Sequence, residues 1–73
     1  MHQPPVGSKG RVTSTGGILP GRTGEVMVAI RGGVEAFLAR DVNGGEIRPY
    51  TEVVVVEYVP PRTVLVSPLN EEY

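Results

Sequence analysis

Few side chains in this sequence are suited to catalysis or metal binding. The one histidine is His2, at the start of the chain, and there is no cysteine. The serines Ser8, Ser14 and Ser67 therefore lack a base that a fold could hold beside them. An imidazole at the chain's end also lacks partners for a metal site. We predict no catalytic residue and no metal ligand, and we do not expect an enzyme.

Glycine-rich segments could form two further kinds of site, a cation loop and a phosphate loop. Asp41 and Glu46 flank the turn-forming residues 43–45, which could surround a cation. Calcium needs a larger, regularly spaced set of oxygen ligands, so a turn is the preferred interpretation. The glycine pairs at 16–17 and 32–33 neither precede a helix nor carry the lysine of a phosphate loop. We expect no cofactor and no small-molecule substrate.

Length and charge narrow the remaining functions. The chain has 73 residues and a formal net charge of -1. A domain of this size buries only about 60% of its unfolded surface, which leaves little room for an enclosed cleft. The chain lacks the excess of Lys and Arg that binds phosphate backbones, which disfavours nucleic acid. No apolar run approaches the roughly 20 residues that cross a bilayer, so we expect a soluble chain, or the soluble part of a membrane protein.

The elements that position these residues are predicted to be strands. Ten glycines and seven prolines interrupt every stretch long enough for a helix. Between them lie short runs rich in Val, Thr and Ile, which favour strands. The predicted strands are Lys9 to Ser14, Gly24 to Arg31, Val34 to Arg40, Thr51 to Val59 and Thr63 to Ser67. Five short strands predict an all-β fold, a small five-stranded OB-fold-like barrel, with an SH3-like barrel as the alternative.

The clearest local signal is a hairpin, because the glycines at 32–33 accept the positive φ angles of a tight turn. With both glycines in the loop, Val28 is predicted to face Phe37, and Val26 to face Ala39. One face of the hairpin is then the core face. It collects Val26, Val28, Ile30, Phe37 and Ala39, with Glu35 as a polar member near the turn.

The opposite face of this hairpin is unusually apolar for a surface. Its members are Met27, Ala29, Val34, Ala36 and Leu38. Exposed patches of this kind often mark protein contacts, so these five residues are the predicted protein-interaction surface. The alternative is that a loop, such as residues 15–23, or a terminus folds over them.

The fourth predicted strand contains four consecutive valines, at 53–56, and cannot alternate strictly between core and solvent. A regular strand would also turn either Glu52 or Glu57 inward, so we predict a β-bulge there. At the ends, we expect residues 1–6 and 69–73 to be flexible and assign residues 7–68 to the barrel.

The spacing of glycines, valines and prolines resembles that of the soluble C-terminal domain of the NfeD family. The matching segments are Gly7-Ser8-Lys9-Gly10-Arg11-Val12, Leu19-Pro20-Gly21-Arg22-Thr23-Gly24-Glu25-Val26, Phe37-Leu38-Ala39, Ile47, Val53-Val54-Val55 and Val64-Leu65-Val66-Ser67-Pro68. Two positions depart from the family pattern. Tyr50 stands where a glycine is common, directly before the fourth predicted strand, and Phe37 stands where a tryptophan is common.

The resemblance implies an OB-like barrel carried by transmembrane helices that are absent from this chain, on an unspecified side of the membrane. It also implies a non-catalytic module that docks stomatin/flotillin-type membrane proteins, or its own copies, in membrane-protein quality control. The alternative function is binding of single-stranded nucleic acid. That use needs exposed aromatic side chains, and the chain offers Phe37, Tyr50, Tyr58 and Tyr73.

Overall fold

The structure, a computed structural model, describes residues 5–69. Its strands are β1 (Lys9–Val12), β2 (Gly24–Ile30), β3 (Gly33–Asp41), β4 (Glu52–Val59) and β5 (Thr63–Pro68). The all-β prediction is confirmed. Within 5–69 there is no helix of the length and apolarity that crossing a membrane requires. His2, Tyr73 and most of the predicted flexible ends lie outside the described residues, so the predicted domain boundaries stay predictions.

The strands form a closed barrel in the order β1-β2-β3-β5-β4. All neighbouring pairs are antiparallel except β3 and β5, which run parallel. After β3 the chain therefore skips one position in the ring, which β5 later fills, so that β4 lies between β5 and β1. The predicted small OB-fold-like barrel is confirmed. In this ring, the β4 wall lies opposite the hairpin of β2 and β3.

The β2–β3 hairpin has the predicted faces but a different register. Val26 pairs with Phe37, and Ile30 pairs with Gly33, so the turn residues are Arg31 and Gly32. Of the two glycines, Gly32 has the positive φ angle, +87°. The predicted pairing, with both glycines in the loop, is therefore wrong by two residues. The faces survive because a shift of two residues returns every side chain to the same side of the sheet.

The predicted bulge in β4 is confirmed. The pairing of β4 with β5 shifts between Val55 and Glu57. Val53 and Val55 point into the core before the shift, whereas Glu52 and Glu57 are both exposed. The bulge therefore changes the face to which later residues point, so that Glu52 and Glu57 both face water.

The barrel interior is filled by aliphatic side chains and one aromatic ring. The buried apolar residues are Val12, Ile18, Val26, Val28, Phe37, Ala39, Ile47, Val53, Val55, Val64 and Val66. Ile30 and Tyr58 pack against this core while partly exposed. No polar or charged side chain of residues 5–69 is buried. An isolated bridge between Ile18 and Ile47 adds two loop residues to the core that strand periodicity did not indicate.

The described chain enters and leaves the barrel along the same strand, β4. On entry, Gly7 donates its N–H to the carbonyl of Val55 at 2.8 Å, and Val55 donates to Ser8 at 2.9 Å. On leaving, Leu69 donates its N–H to the carbonyl of Glu52 at 2.8 Å. Both junctions are thus fixed to one wall by backbone hydrogen bonds.

The turn before β4 holds a tyrosine in a conformation that glycine usually adopts. Tyr50 has φ of 65° and is the non-glycine residue with positive φ among residues 5–69. Pro49 precedes it, and Thr51 donates its N–H to the carbonyl of Arg48 at 3.4 Å. Proline followed by a positive-φ residue is the arrangement of a type II turn, in which glycine is favoured at the second position. The turn therefore forms despite the departure from the family pattern.

Candidate functional site

The structure brings the five predicted interaction residues together on the outer face of the β2–β3 hairpin. Met27 pairs with Ala36, and Ala29 pairs with Val34. Leu38 follows on β3, opposite Glu25. Since side chains of directly paired residues share a face, these residues form one continuous strip, called here the outer stripe.

Exposure varies along the outer stripe. Val34 is 65% exposed and Leu38 is 49% exposed, whereas Met27 and Ala36 are half-buried. The loop at 15–23, which could have covered the stripe, instead turns Ile18 into the core against Ile47. Two large apolar side chains therefore face solvent on one wall of the barrel.

Arg62 occupies the edge of β3 beside this stripe. Its Nη1 lies 2.6 Å from Oε2 of Glu35, and its Nη2 donates to the carbonyl oxygen of Ala36. Its guanidinium lies 4.8 Å from the ring centre of Phe37, which meets the Tyr58 ring edge-on at 6.4 Å. The start of β3, which extends beyond β5, is thus capped by a side chain, as sheet edges commonly are. A partner strand would therefore meet the Arg62 side chain at Ala36 rather than a free carbonyl.

A cavity of about 240 Å³ lies next to the Leu38 end of the outer stripe. Arg22 and Arg40 line it together with Leu65, Val42 and Asp41. Arg40 follows Leu38 by two residues on β3 and is exposed on the same face. The sequence did not indicate this cavity, although the alternation of side chains along β3 already put Leu38 and Arg40 on one side.

The polar residues first considered for chemistry have structural roles in this fold. Ser14 donates its hydroxyl to the carbonyl of Gly17 at 2.8 Å and accepts the N–H of Glu25 at 3.1 Å. Asp41 accepts the N–H groups of Asn43 at 3.1 Å and Gly45 at 2.9 Å, which confirms the turn interpretation. Within the described range, no cluster of three or more metal-ligating side chains forms.

Comparisons with known proteins agree with this geometry. A family model described as the NfeD C-terminal domain matches residues 9–67. The fold is similar to the solution structure of the soluble domain of the NfeD protein YuaF from Bacillus subtilis, with a TM-score of 0.73. The two sequences are 24% identical, and the match covers 90% of this chain and 75% of that chain. Curated proteins give no match. The resemblance inferred from the glycine and valine spacing is confirmed.

Proposed function

Because the chain belongs to the NfeD C-terminal domain family, we propose that it is a non-catalytic docking domain of a longer, membrane-anchored protein. In this proposal the outer stripe binds a stomatin/flotillin-type membrane protein, or a second copy of the domain, in membrane-protein quality control. The observation that carries the proposal is the exposure of Val34 and Leu38 beside half-buried apolar neighbours on one face. Contiguous apolar surface with a polar surround is a recurrent feature of protein contact sites.

The closed barrel supports docking through side chains. Strand addition, another common mode of protein recognition, needs an open sheet edge. Here the ring of strands is closed, and Arg62 caps the part of β3 that extends past β5. The outer stripe is then the surface that remains for an apolar contact on the hairpin wall.

Binding of single-stranded nucleic acid is the competing function. Proteins with that function stack bases on exposed aromatic rings within a positive groove. Phe37 is buried and Tyr58 is half-buried, which leaves Tyr50 as the exposed aromatic side chain among residues 5–69. No observation on the described chain favours this function over protein docking.

A titration followed by backbone NMR tests the proposal. The domain is titrated separately with a stomatin/flotillin-type soluble domain and with a mixed-sequence single-stranded oligonucleotide, and its self-association is measured by analytical ultracentrifugation. We expect shifts clustered on the outer stripe with the protein, or a concentration-dependent dimer that uses the same residues. Shifts around Arg11, Arg22 and Tyr50 with the oligonucleotide alone would instead identify a nucleic-acid domain.

A pair of variants locates the contact. Leu38→Asp places a charge in the outer stripe and should abolish the binding. The matched control is Val56→Asp, because Val56 is exposed to a similar extent, 44% against 49% for Leu38, but lies on β4 across the barrel. Both variants should keep the dispersed NMR spectrum of the folded domain. Equal binding by Leu38→Asp and the unmodified chain would remove the outer stripe as the contact surface.

A further inference from the structure

We infer that the cavity between Arg22 and Arg40 receives a carboxylate of the docked partner. The inference rests on the proposed docking function and adds the chemistry of the partner. It predicts an extended partner segment in which an apolar side chain on Leu38 is followed by an aspartate or glutamate in the cavity.

The cavity continues the outer stripe. Leu38 and Arg40 are exposed on the same face of β3, and Arg40 pairs in register with Leu65 of β5, which also lines the cavity. Outward positions of a strand repeat at about 6.6 Å, twice the rise per residue. That spacing matches alternate side chains of an extended partner segment. One such segment can therefore contact Leu38 and reach Arg40 without a turn.

The two arginines are available for an anion. Among residues 5–69, the ion pairs are those of Arg11 with Glu52 at 2.9 Å and Arg62 with Glu35 at 2.6 Å. Within that range, therefore, neither cavity arginine has a carboxylate partner. A guanidinium presents its N–H groups in a planar fork that matches both oxygens of a carboxylate.

Asp41, which lines the cavity, and Glu25, which pairs with Leu38, accept hydrogen bonds from other groups. Both carboxylate oxygens of Asp41 accept backbone N–H groups of the turn that follows β3. Glu25 lies next to Leu38 on the outer face, and its Oε1 accepts the hydroxyl of Thr13 at 3.4 Å, on the side of β1. Neither acid is ion-paired with Arg22 or Arg40. The cavity therefore keeps two cations beside one carboxylate.

A carboxylate on a protein fits this surface better than a lipid phosphate, because the outer stripe lacks the features of a face that enters a membrane. The outer stripe contains no aromatic residue, and Ala29 and Ala36 are too short to reach into a headgroup layer. Small side chains do, however, allow a partner backbone to approach the sheet closely.

Matched peptides test the inference without the natural partner. The probes are acetyl-Leu-Val-Leu-Glu-Glu-amide and its Gln-Gln counterpart, each titrated to millimolar concentration against the labelled domain. We expect the glutamate peptide to shift the amides of Arg22, Arg40 and Val42, and to bind about threefold or more tightly than the glutamine peptide, within the range of exposed charge pairs. In Arg40→Gln and Arg22→Gln this difference should disappear.

Arg48→Gln is the control variant. It removes the same charge from an exposed position near the Pro49 turn, outside the cavity, and should preserve the preference for the glutamate peptide. Equal affinity for the two peptides, or no shifts at Arg40 with either, would overturn the carboxylate site. Binding of phosphatidylglycerol vesicles or inorganic phosphate at these amides, without a response to the glutamate peptide, would replace it with a phosphate site.

Binding of the stomatin/flotillin-type domain separates this inference from the proposed function. If Leu38→Asp abolishes that binding while Arg22→Gln and Arg40→Gln leave it unchanged, the docking function stands and the carboxylate site fails. If all three variants bind as the unmodified chain does, both fail. Loss in Leu38→Asp together with a partial, salt-dependent loss in Arg40→Gln supports both.

Discussion

The two faces of the β2–β3 hairpin have almost the same apolar character and opposite environments. Phe37 lies in the core at 5% exposure, whereas its neighbour Leu38 is 49% exposed on the outer stripe. Hydrophobicity by itself therefore does not decide burial here; the alternation of the strand and the closure of the barrel decide it. Apolar residues on the inner face form the core, whereas those on the outer face contribute apolar surface that is at least partly exposed to solvent.

Truncation of the inner face should give the largest effect. Phe37→Ala removes a buried aromatic ring from the core, together with its contacts to Arg62 and Tyr58. We expect a loss of about 3–5 kcal/mol in unfolding free energy, as is typical of buried phenylalanines. That loss is comparable to the whole stability of many small domains. Urea unfolding followed by circular dichroism measures it, and a loss below about 1 kcal/mol would contradict the assigned core position.

An added methyl group on the inner side should also be destabilising, though less so. Gly10 pairs with Val28, and a Cβ at this position would lie 2.7 Å from the carbonyl oxygen of Met27 and 3.2 Å from Cγ2 of Val28. We expect Gly10→Ala to cost about 1–3 kcal/mol through overpacking. The control is Gly33→Ala at the start of β3, because a Cβ there meets no atom within 4 Å. Equal unfolding midpoints for the two variants would show that β1 does not approach β2 this closely.

Tyr50 is an exposed residue whose substitution should nevertheless change the unfolding free energy. The residue is 62% exposed, but its backbone has φ of 65°. Residues other than glycine cost roughly 1–2 kcal/mol of conformational free energy in the left-handed region. Tyr50→Gly should therefore raise the unfolding free energy by about 1 kcal/mol, once the greater chain entropy of glycine in the unfolded state is subtracted. Thermal and urea unfolding measure the gain. Tyr50→Ala, which keeps a Cβ, should give little of it.

A polar replacement on the outer stripe should have the smallest effect on stability. Leu38→Gln keeps a similar length on an exposed strand position. We expect the unfolding free energy to change by no more than about 0.5 kcal/mol, the usual range for surface substitutions. The same urea series used for Phe37→Ala provides the measurement. A destabilisation equal to that of Phe37→Ala would erase the distinction between the two faces.

Much of the fold could be predicted from the sequence, because successive side chains of a strand point to opposite faces of the sheet. The assignment of Val26 and Val28 to the core and of Leu38 to the surface depended on that alternation alone, so it survived the two-residue error in register. The register itself depended on which residue of the turn has positive φ. Several glycine-containing turns satisfy the same composition, so the sequence did not distinguish between them.

The parts that were missed arise from contacts between loops. Ile18 and Ile47 lie in loops, outside any periodic run, and their burial results from pairing with each other across one end of the barrel. The cavity likewise joins Arg22, from the loop before β2, to Leu65, which lies beside Arg40 only because β5 runs parallel to β3. A crossover of this kind determines neighbours that local spacing does not encode.

The attachment of both chain junctions to β4 determines how the domain is oriented when it is held. Residues 7 and 69 are bonded to the wall that lies across the barrel from the hairpin. A linker, a fluorescent tag or a sensor surface joined beyond either junction is therefore connected through the β4 side. The opposite wall, which carries Leu38, lies away from both of these junctions.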